Sequence, residues 1–368
     1  MPTFIPGIQL NELFYREAVA PILASAFPAL RYSAALVGYG SDVLGFDTER
    51  STDHEWGPRL VIFLTEADND TLATSIGEVL SARLPSEFHG YSTNFSEPDE
   101  HRIRVMESAK PGHVRHHVYF QTLAQFTRQY LGGEPDHELS NIDWLLIDQN
   151  ALLEVTGGKV YHDGFGDLTT LRERLAWYPR DVWLFMLASQ WIRLAQEEPF
   201  ASRCGEGGDE IGSRVTTARL VRDVMKLCFL MERRYAPYTK WFGTAFSRLK
   251  CAGELEPMLR DALAGDSWQA RESHLCAAYQ VVARMHNEMR IFESQDIGTM
   301  SFHDRPYRVL GAGRFAKAVA DKIRDQQLHR IYEKVGPVGS INQFADSTNL
   351  LMRPDLRTRL AALYEAAS

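Results

Sequence analysis

Apolar positions along the chain change rhythm about half-way. From Asn11 to Phe27, Leu13, Phe14, Ala18, Ile22 and Leu23 recur at helical spacing with Pro28 just beyond, which predicts an opening helix. Ser33 to Val37 is a short, unbroken apolar run closed by Gly38, with Gly40 and Ser41 next, the pattern of a buried strand running into a tight turn. Arg59 to Leu64 (RLVIFL) reads as a second buried strand, and Thr71 to Leu84 as a helix stopped by Pro85. Further strands are predicted over Arg102 to Met106 and Val114 to Thr122, joined by a Lys110-Pro111-Gly112 turn. Leu123 to Leu131 reads as a helix ending at Gly132-Gly133, and Leu152 to Tyr161, with its Gly157-Gly158 pair, as a hairpin or strand end. From Asp181 onward the period is helical, with spans near Asp181 to Gln196, Ser213 to Tyr235, Leu255 to Ala264, Ala270 to Met289 and Arg314 to Val335. The Gly-rich stretch Gly205 to Gly212 separates the first two of these as a loop. The expectation is an α+β half, residues 1–175, followed by a helical bundle with C-terminal helices, residues 176–368.

Composition narrows the class. At 368 residues the chain is longer than one compact core usually grows, and 45% hydrophobic with 24% charged residues is an ordinary globular balance. A formal net charge of -8 supplies no general footprint for nucleic acid, so nucleic acid is not the expected partner. Cys204, Cys228, Cys251 and Cys276 show no zinc-type spacing and read as reduced, buried thiols. The opening MPTFIPGIQL lacks the basic and apolar regions of a secretory signal. The longest apolar stretch, Val182 to Ile192, contains Ser189 and Gln190 and is too short to span a bilayer. The expected setting is the cytoplasm.

The segment with chemical logic is Val37-Gly38-Tyr39-Gly40-Ser41, then eleven residues, then Asp53-His54-Glu55-Trp56-Gly57-Pro58-Arg59. Carboxylates at i and i+2 of an extended strand share a face and can hold Mg²⁺ against triphosphate oxygens. A Gly-Ser turn offers close backbone approach, N–H donors and a hydroxyl for phosphates. This spacing resembles the signature of the DNA polymerase beta-type nucleotidyltransferases: an apolar residue, Gly, Gly or Ser, nine to thirteen residues, then Asp-x-Asp/Glu. Tyr39 and His54 depart from it, His54 standing where an apolar residue is usual. A mixed-sheet nucleotidyltransferase domain followed by a helical bundle is similar to the kanamycin nucleotidyltransferase architecture. GYGSDVLGFDTERSTDHEWGPRL, QEEPFASRCGEGGDEIGSR and ERRYAPYTKWFGTAF also resemble the domain of unknown function 4037 family. The resemblance implies a nucleoside triphosphate, by analogy ATP, held at Gly40 and Ser41, Mg²⁺ on Asp53 and Glu55 as catalytic carboxylates, and an acceptor whose identity no local motif states. The runner-up reading is a nucleotide-binding or interaction module on the same fold that has lost turnover.

Other residues are weighed against plainer roles. Arg219, Arg222, Lys226 and Arg233 share one face of the Ser213 to Tyr235 helix, useful to a triphosphate and equally at home as a solvated face. Lys240, flanked by Tyr238 and Trp241, is a candidate phosphate contact, in the manner that nucleotidyltransferase bundles arrange, or a snorkelling surface lysine. By the kanamycin enzyme resemblance the helical half brings a glutamate as base, so Glu197, Glu198, Asp209 and Glu210 are candidates, each singly more at home as a solvated or capping acid. No acid lies between Val114 and Thr122, where relatives carry a third metal carboxylate. His116 and His117 stand there instead, and Glu154 and Asp163 are acids that folding could bring near.

Overall fold

The structure is a computed structural model and describes residues 3–100, 103–108 and 112–365. It divides into two compact units: Met1–Glu138 with Ala151–Ala176, and Leu139–Asn150 with Trp177–Ser368.

The first unit is α+β. Helix α1 (Gly7–Phe14) continues through a π turn, Tyr15–Val19, into α2 (Ala20–Ala26). Pro21 has no N–H to return to the preceding turn, and the helix widens there rather than breaking. Strand β1 (Ser33–Leu36) is buried along its whole length, as its apolar run requires, and pairs antiparallel with β2 (Arg59–Phe63) in the register Ser33↔Phe63 to Ala35↔Val61. Helix α3 (Glu66–Arg83) starts earlier than the apolar period suggests, because the Thr65 hydroxyl accepts from the Asp68 N–H and caps it. A two-strand ribbon, β3 (Glu87–Phe88) with β4 (Tyr91–Ser92), follows. Strand β5 (His117–Gln121) runs parallel to β2 and aligns Arg59 with His117. Helix α4 (Leu123–Tyr130) is opened by a Thr122/Gln125 capping box.

The strand expected at Arg102 to Met106 reduces to one bridge, Met106 to Phe95. The backbone of Arg104 is used elsewhere, exchanging hydrogen bonds with Glu55, and Arg102, Lys110 and Pro111 lie outside the described residues. The Leu152 to Tyr161 stretch is not a hairpin: helix α6 (Gln149–Thr156) precedes β6 (Lys159–Asp163), and Gly157-Gly158 is the joint. At Gly158, φ is +60° and a Cβ would lie 1.9 Å from the Leu36 carbonyl oxygen, so only glycine lets the joint pass the end of β1. The sheet order is β5-β2-β1-β6, with β6 antiparallel to β1. Leu10, Phe14, Leu60, Ile62, Ile76, Leu80 and Val118 form the core between the sheet and the helices.

The second unit is helical. Helix α5 (Asn141–Leu146) precedes the chain's passage through α6 and α7 (Asp167–Arg174). Helix α8 (Arg180–Glu197) is buried on nearly every side from Val182 to Trp191, which accounts for its all-round apolar sequence. Helix α9 (Phe200–Glu206) takes the front of the predicted Gly-rich loop. Asp209 then caps α10 (Glu210–Met231) through the Gly212 N–H, so the loop is confined to residues 207–209. Helices α11 (Thr239–Phe246), α12 (Ala252–Ala264) and α13 (Trp268–Glu288) and the ribbon β7 (Met300–Ser301) with β8 (Arg308–Val309) follow. The span expected from Arg314 to Val335 is two helices, α14 (Gly313–Ala320) and α15 (Gln326–Lys334), because Asp325 caps a new start by accepting from the Leu328 N–H. The short helix α16 (Ile341–Phe344) carries buried Ile341 and Gln343. No described helix is long and apolar enough to cross a membrane.

Candidate functional site

The turn after β1 is built on glycines that no other residue replaces. Gly38 and Gly40 have φ of +93° and +135°. A Cβ at Gly40 would lie 2.3 Å from both Arg59 Nη2 and Asp42 Oδ1, so this glycine makes room for an ion pair. That pair is the structural anchor of the turn. Arg59 opens β2 with its side chain only 5% exposed and donates through Nε to Asp42 Oδ2 at 2.9 Å and through Nη2 to Asp42 Oδ1 at 2.6 Å. Its Nη2 also donates to the Tyr39 carbonyl at 2.9 Å, and its backbone N–H donates to Asn11 Oδ1 at 2.6 Å. Burial works against the guanidinium charge; the Asp42 charge and hydrogen bonds more than offset it and hold Arg59 above its ordinary value. Ser41 accepts the Phe46 N–H on its carbonyl, which closes the turn.

The acidic pair is not on an extended strand, contrary to expectation. Asp53 ends a short 3₁₀ turn (Glu49–Asp53), and β2 begins only at Arg59, after Gly57 and Pro58. Glu55 has a left-handed φ of +50°, so the alternation that would put both carboxylates on one face is broken. The two acids consequently face different surroundings. The Asp53 side chain is 66% exposed, its Oδ1 3.0 Å from His54 Nδ1. Glu55, 11% exposed, is held from several sides: Oε2 accepts from the Tyr39 hydroxyl at 2.9 Å and lies 3.4 Å from His117 Nε2, while Oε1 accepts from the Arg104 N–H at 2.6 Å. Burial acts to raise the Glu55 carboxyl, but His117, then Tyr39 and the Arg104 N–H, outweigh it and hold the group below its usual range. Burial, with the nearby Arg59 and Arg104 charges, pushes the His117 imidazole down in spite of Glu55. Its Nε2 is 2.9 Å from the Tyr119 hydroxyl, and its fully buried Nδ1 has no hydrogen-bond partner among the described residues.

The Gly turn and the acidic loop, separated by eleven residues, therefore meet directly through Tyr39 and Glu55. Tyr39 and Tyr119, 40% and 37% exposed, carry this cluster to the surface. Past Glu55, the Trp56 indole donates to Asp47 at 3.0 Å and stacks on Phe4, pinning the loop. Mg²⁺ commonly takes one or two carboxylates and completes its shell with water and substrate phosphates. Asp53 offers an exposed carboxylate of that donor type, whereas both oxygens of Glu55 are already engaged by Tyr39, His117 and the Arg104 N–H. Among the described residues no group of three or more His, Cys, Asp or Glu gathers for a metal.

The other sequence candidates have identifiable local roles. Asp163 accepts from Ser33 and from the Gly166 and Thr169 N–H groups, a structural knot between β1 and α7. Glu154 lies on α6, and its carbonyl accepts the Gly38 N–H at 2.8 Å, fixing the back of the turn. His116 Nε2 bonds the Gly77 carbonyl on α3 and does not join the Glu55 cluster. Within the helical unit Glu197 pairs with Arg219, and Glu210 with fully buried Arg271. Buried Glu198 accepts the N–H groups of Leu310, Gly311 and Ala312, and Asp209 is the α10 cap. Arg222 pairs with Asp346 and Lys226 donates to the Asn342 carbonyl, while Arg233 lies over Trp183 at 4.3 Å. Lys240 is exposed, 5.1 Å from the Trp241 ring centre. Sequence reasoning missed Asp42, Asn11 and Arg104. A signal for Asp42 existed, since an arginine opening an otherwise apolar buried strand demands a carboxylate nearby.

The chain matches the family described as Domain of unknown function (DUF4037) over residues 144–242, a stretch that includes Glu154, Arg219, Arg222, Lys226 and Lys240 and leaves out the Gly turn and the acidic loop. No curated protein and no solved structure matches the chain.

Proposed function

We propose that the α+β unit is a nucleotidyltransferase-type site: the Gly40-Ser41 turn receives the phosphates of a nucleoside triphosphate, by analogy ATP, and Asp53 and Glu55 hold the accompanying Mg²⁺. The observation that carries this reading is the 2.9 Å contact between the Tyr39 hydroxyl and Glu55, which brings phosphate-compatible backbone and a metal-compatible carboxylate to one surface patch. Bound there, Mg²⁺ would supply charge neutralisation at the phosphates. The turn's own contribution would be main-chain N–H groups and the Ser41 hydroxyl offered to phosphate oxygens, with buried Arg59, bonded to the Tyr39 carbonyl, holding the turn from beneath. In the reaction an acceptor oxygen attacks the α-phosphorus, the bond to the β-phosphate bridging oxygen breaks and pyrophosphate leaves. A hydroxyl acceptor gives its proton to a base. The acceptor is a small molecule or a macromolecule bearing a hydroxyl or phosphate.

A second reading, a nucleotide-binding module without turnover, is favoured by the saturation of Glu55 by Tyr39, Arg104 and His117 and by the outward aspect of Asp53. One experiment separates the two: α-labelled triphosphates with Mg²⁺ and a panel of acceptors, read as pyrophosphate release, alongside the thermal shift given by Mg-ATP. Release that disappears in Glu55→Gln supports the enzyme. A thermal shift without release supports the binding module, and neither signal at millimolar nucleotide removes both.

A further inference from the structure

Helix α10 carries Arg222, Asp223 and Lys226 on adjoining positions, and α8 brings Arg193 to the same place. Asp223 is buried. Its Oδ1 accepts from the Gln190 amide at 3.0 Å and lies 3.4 Å from Arg193 Nε, while Oδ2 has no partner among the described residues. Lys226 donates to the Asn342 carbonyl at 2.6 Å, and burial, reinforced by Arg222 and Arg193, pulls its ammonium down to about 8. Arg222 turns its guanidinium face outward and binds both oxygens of Asp346, at 3.0 and 2.6 Å. Arg193 and Lys226 also act on the Asp346 carboxylate, which is held below its usual range chiefly by Arg222.

Three cations thus face one buried carboxylate, Asp223, and one carboxylate that is 69% exposed, Asp346. With Asp346 in place the formal sum is +1, and without it +2. A desolvated lysine beside two arginines is an electrostatic cost that an ordinary surface ion pair would not require. An anion with more charge than a carboxylate relieves it. The guanidinium fork that accepts two carboxylate oxygens also matches two phosphate oxygens. Asp346 lies in an exposed stretch, residues 346–349, flanked by buried Ile341 and Gln343 before it and buried Arg357 after it.

We infer that Arg193, Arg222 and Lys226 form a binding site for a phosphate group, and that the Asp346 carboxylate occupies it as a built-in stand-in which a phosphate ligand displaces. The site lies wholly within the helical unit and does not depend on the reading of the Gly turn. Its members differ from the helix face marked out in the sequence: Arg219 is committed to Glu197, and Arg193 enters from another helix.

The test uses the full chain and titrates inorganic phosphate, pyrophosphate and tripolyphosphate by calorimetry at constant ionic strength, with chloride as the control. Asp346→Asn removes the competing charge without removing the loop and should bind tripolyphosphate about tenfold more tightly than the wild type. Arg222→Gln should abolish the binding, and Arg222→Lys, which keeps charge but loses the fork, should fall between. The titrations are run with chelator and no Mg²⁺, which excludes Mg²⁺-dependent binding at Asp53 and Glu55, so failure of this site and failure of the nucleotide reading are distinguishable. Equal affinity in wild type and Asp346→Asn overturns the stand-in. Binding that survives Arg222→Gln in protein with wild-type circular dichroism overturns the site.

Discussion

Asp42→Asn tests the anchor of the turn most directly. Arg59 and Asp42 are 5% and 1% exposed at the side chain and share two hydrogen bonds, so the substitution leaves a buried guanidinium without its counter-charge. Breaking a buried pair from one side costs about 3–5 kcal/mol, because the remaining charge stays desolvated. In a unit of this size each kcal/mol moves the melting temperature by about 2–4 °C, which places the fall at roughly 6–20 °C. Trp56 is the one tryptophan within Met1–Glu138 and Ala151–Ala176, so its ¹⁹F resonance after fluorotryptophan labelling reports this unit alone during urea unfolding. The double variant Asp42→Leu/Arg59→Met, which replaces the pair by apolar groups, should recover most of the loss. A loss below about 1 kcal/mol in Asp42→Asn, the range of an exposed pair, would refute the argument that Arg59 is cut off from water.

Gly40→Ala should destabilise the same unit by at least about 1 kcal/mol, since its φ is +135° and its Cβ would meet Arg59 and Asp42; an unchanged urea midpoint would contradict the packing. Mg-ATP should raise the melting temperature of the wild type, and Asp53→Asn should lose the Mg²⁺-dependent part of that rise, measured by scanning fluorimetry with and without chelator. His286 is buried against Trp191, Phe292 and Phe315, and burial brings its imidazole down to about 4. Between that value and the ordinary 6.5 the unfolded chain binds the proton and the folded chain does not, so stability falls as pH falls through this window, by about 2 kcal/mol at pH 5. His286→Phe should flatten this part of the stability profile, and a slope that persists in the variant would assign it to other groups.

Much of the fold was legible locally. RLVIFL and SAALV became β2 and β1, the opening period became α1 and α2, and the helical second half followed its spacing. Boundaries moved where a single capping side chain decided them, as Thr65 did for α3 and Asp325 for α15. Of the two readings of Leu152 to Tyr161, the strand end survives as the start of β6 and the hairpin does not, because a glycine pair at a helix-to-strand joint looks the same in sequence as a hairpin turn.

The sequence by itself determined the elements and the Gly turn at the end of β1, since apolar period, glycine and proline act on the chain within a few residues. Tertiary structure alone decided what those elements hold. That Asp42 neutralises Arg59, that Glu55 turns inward to Tyr39 and His117 while Asp53 faces water, and that Asp346 covers Arg222 are outcomes of bringing distant segments together. The physical reason is the difference in range. Burial and backbone hydrogen bonding leave a periodic trace in the sequence, whereas an ion pair between positions more than a hundred residues apart, such as Arg222 and Asp346, leaves none until the fold has set the distance and removed the water.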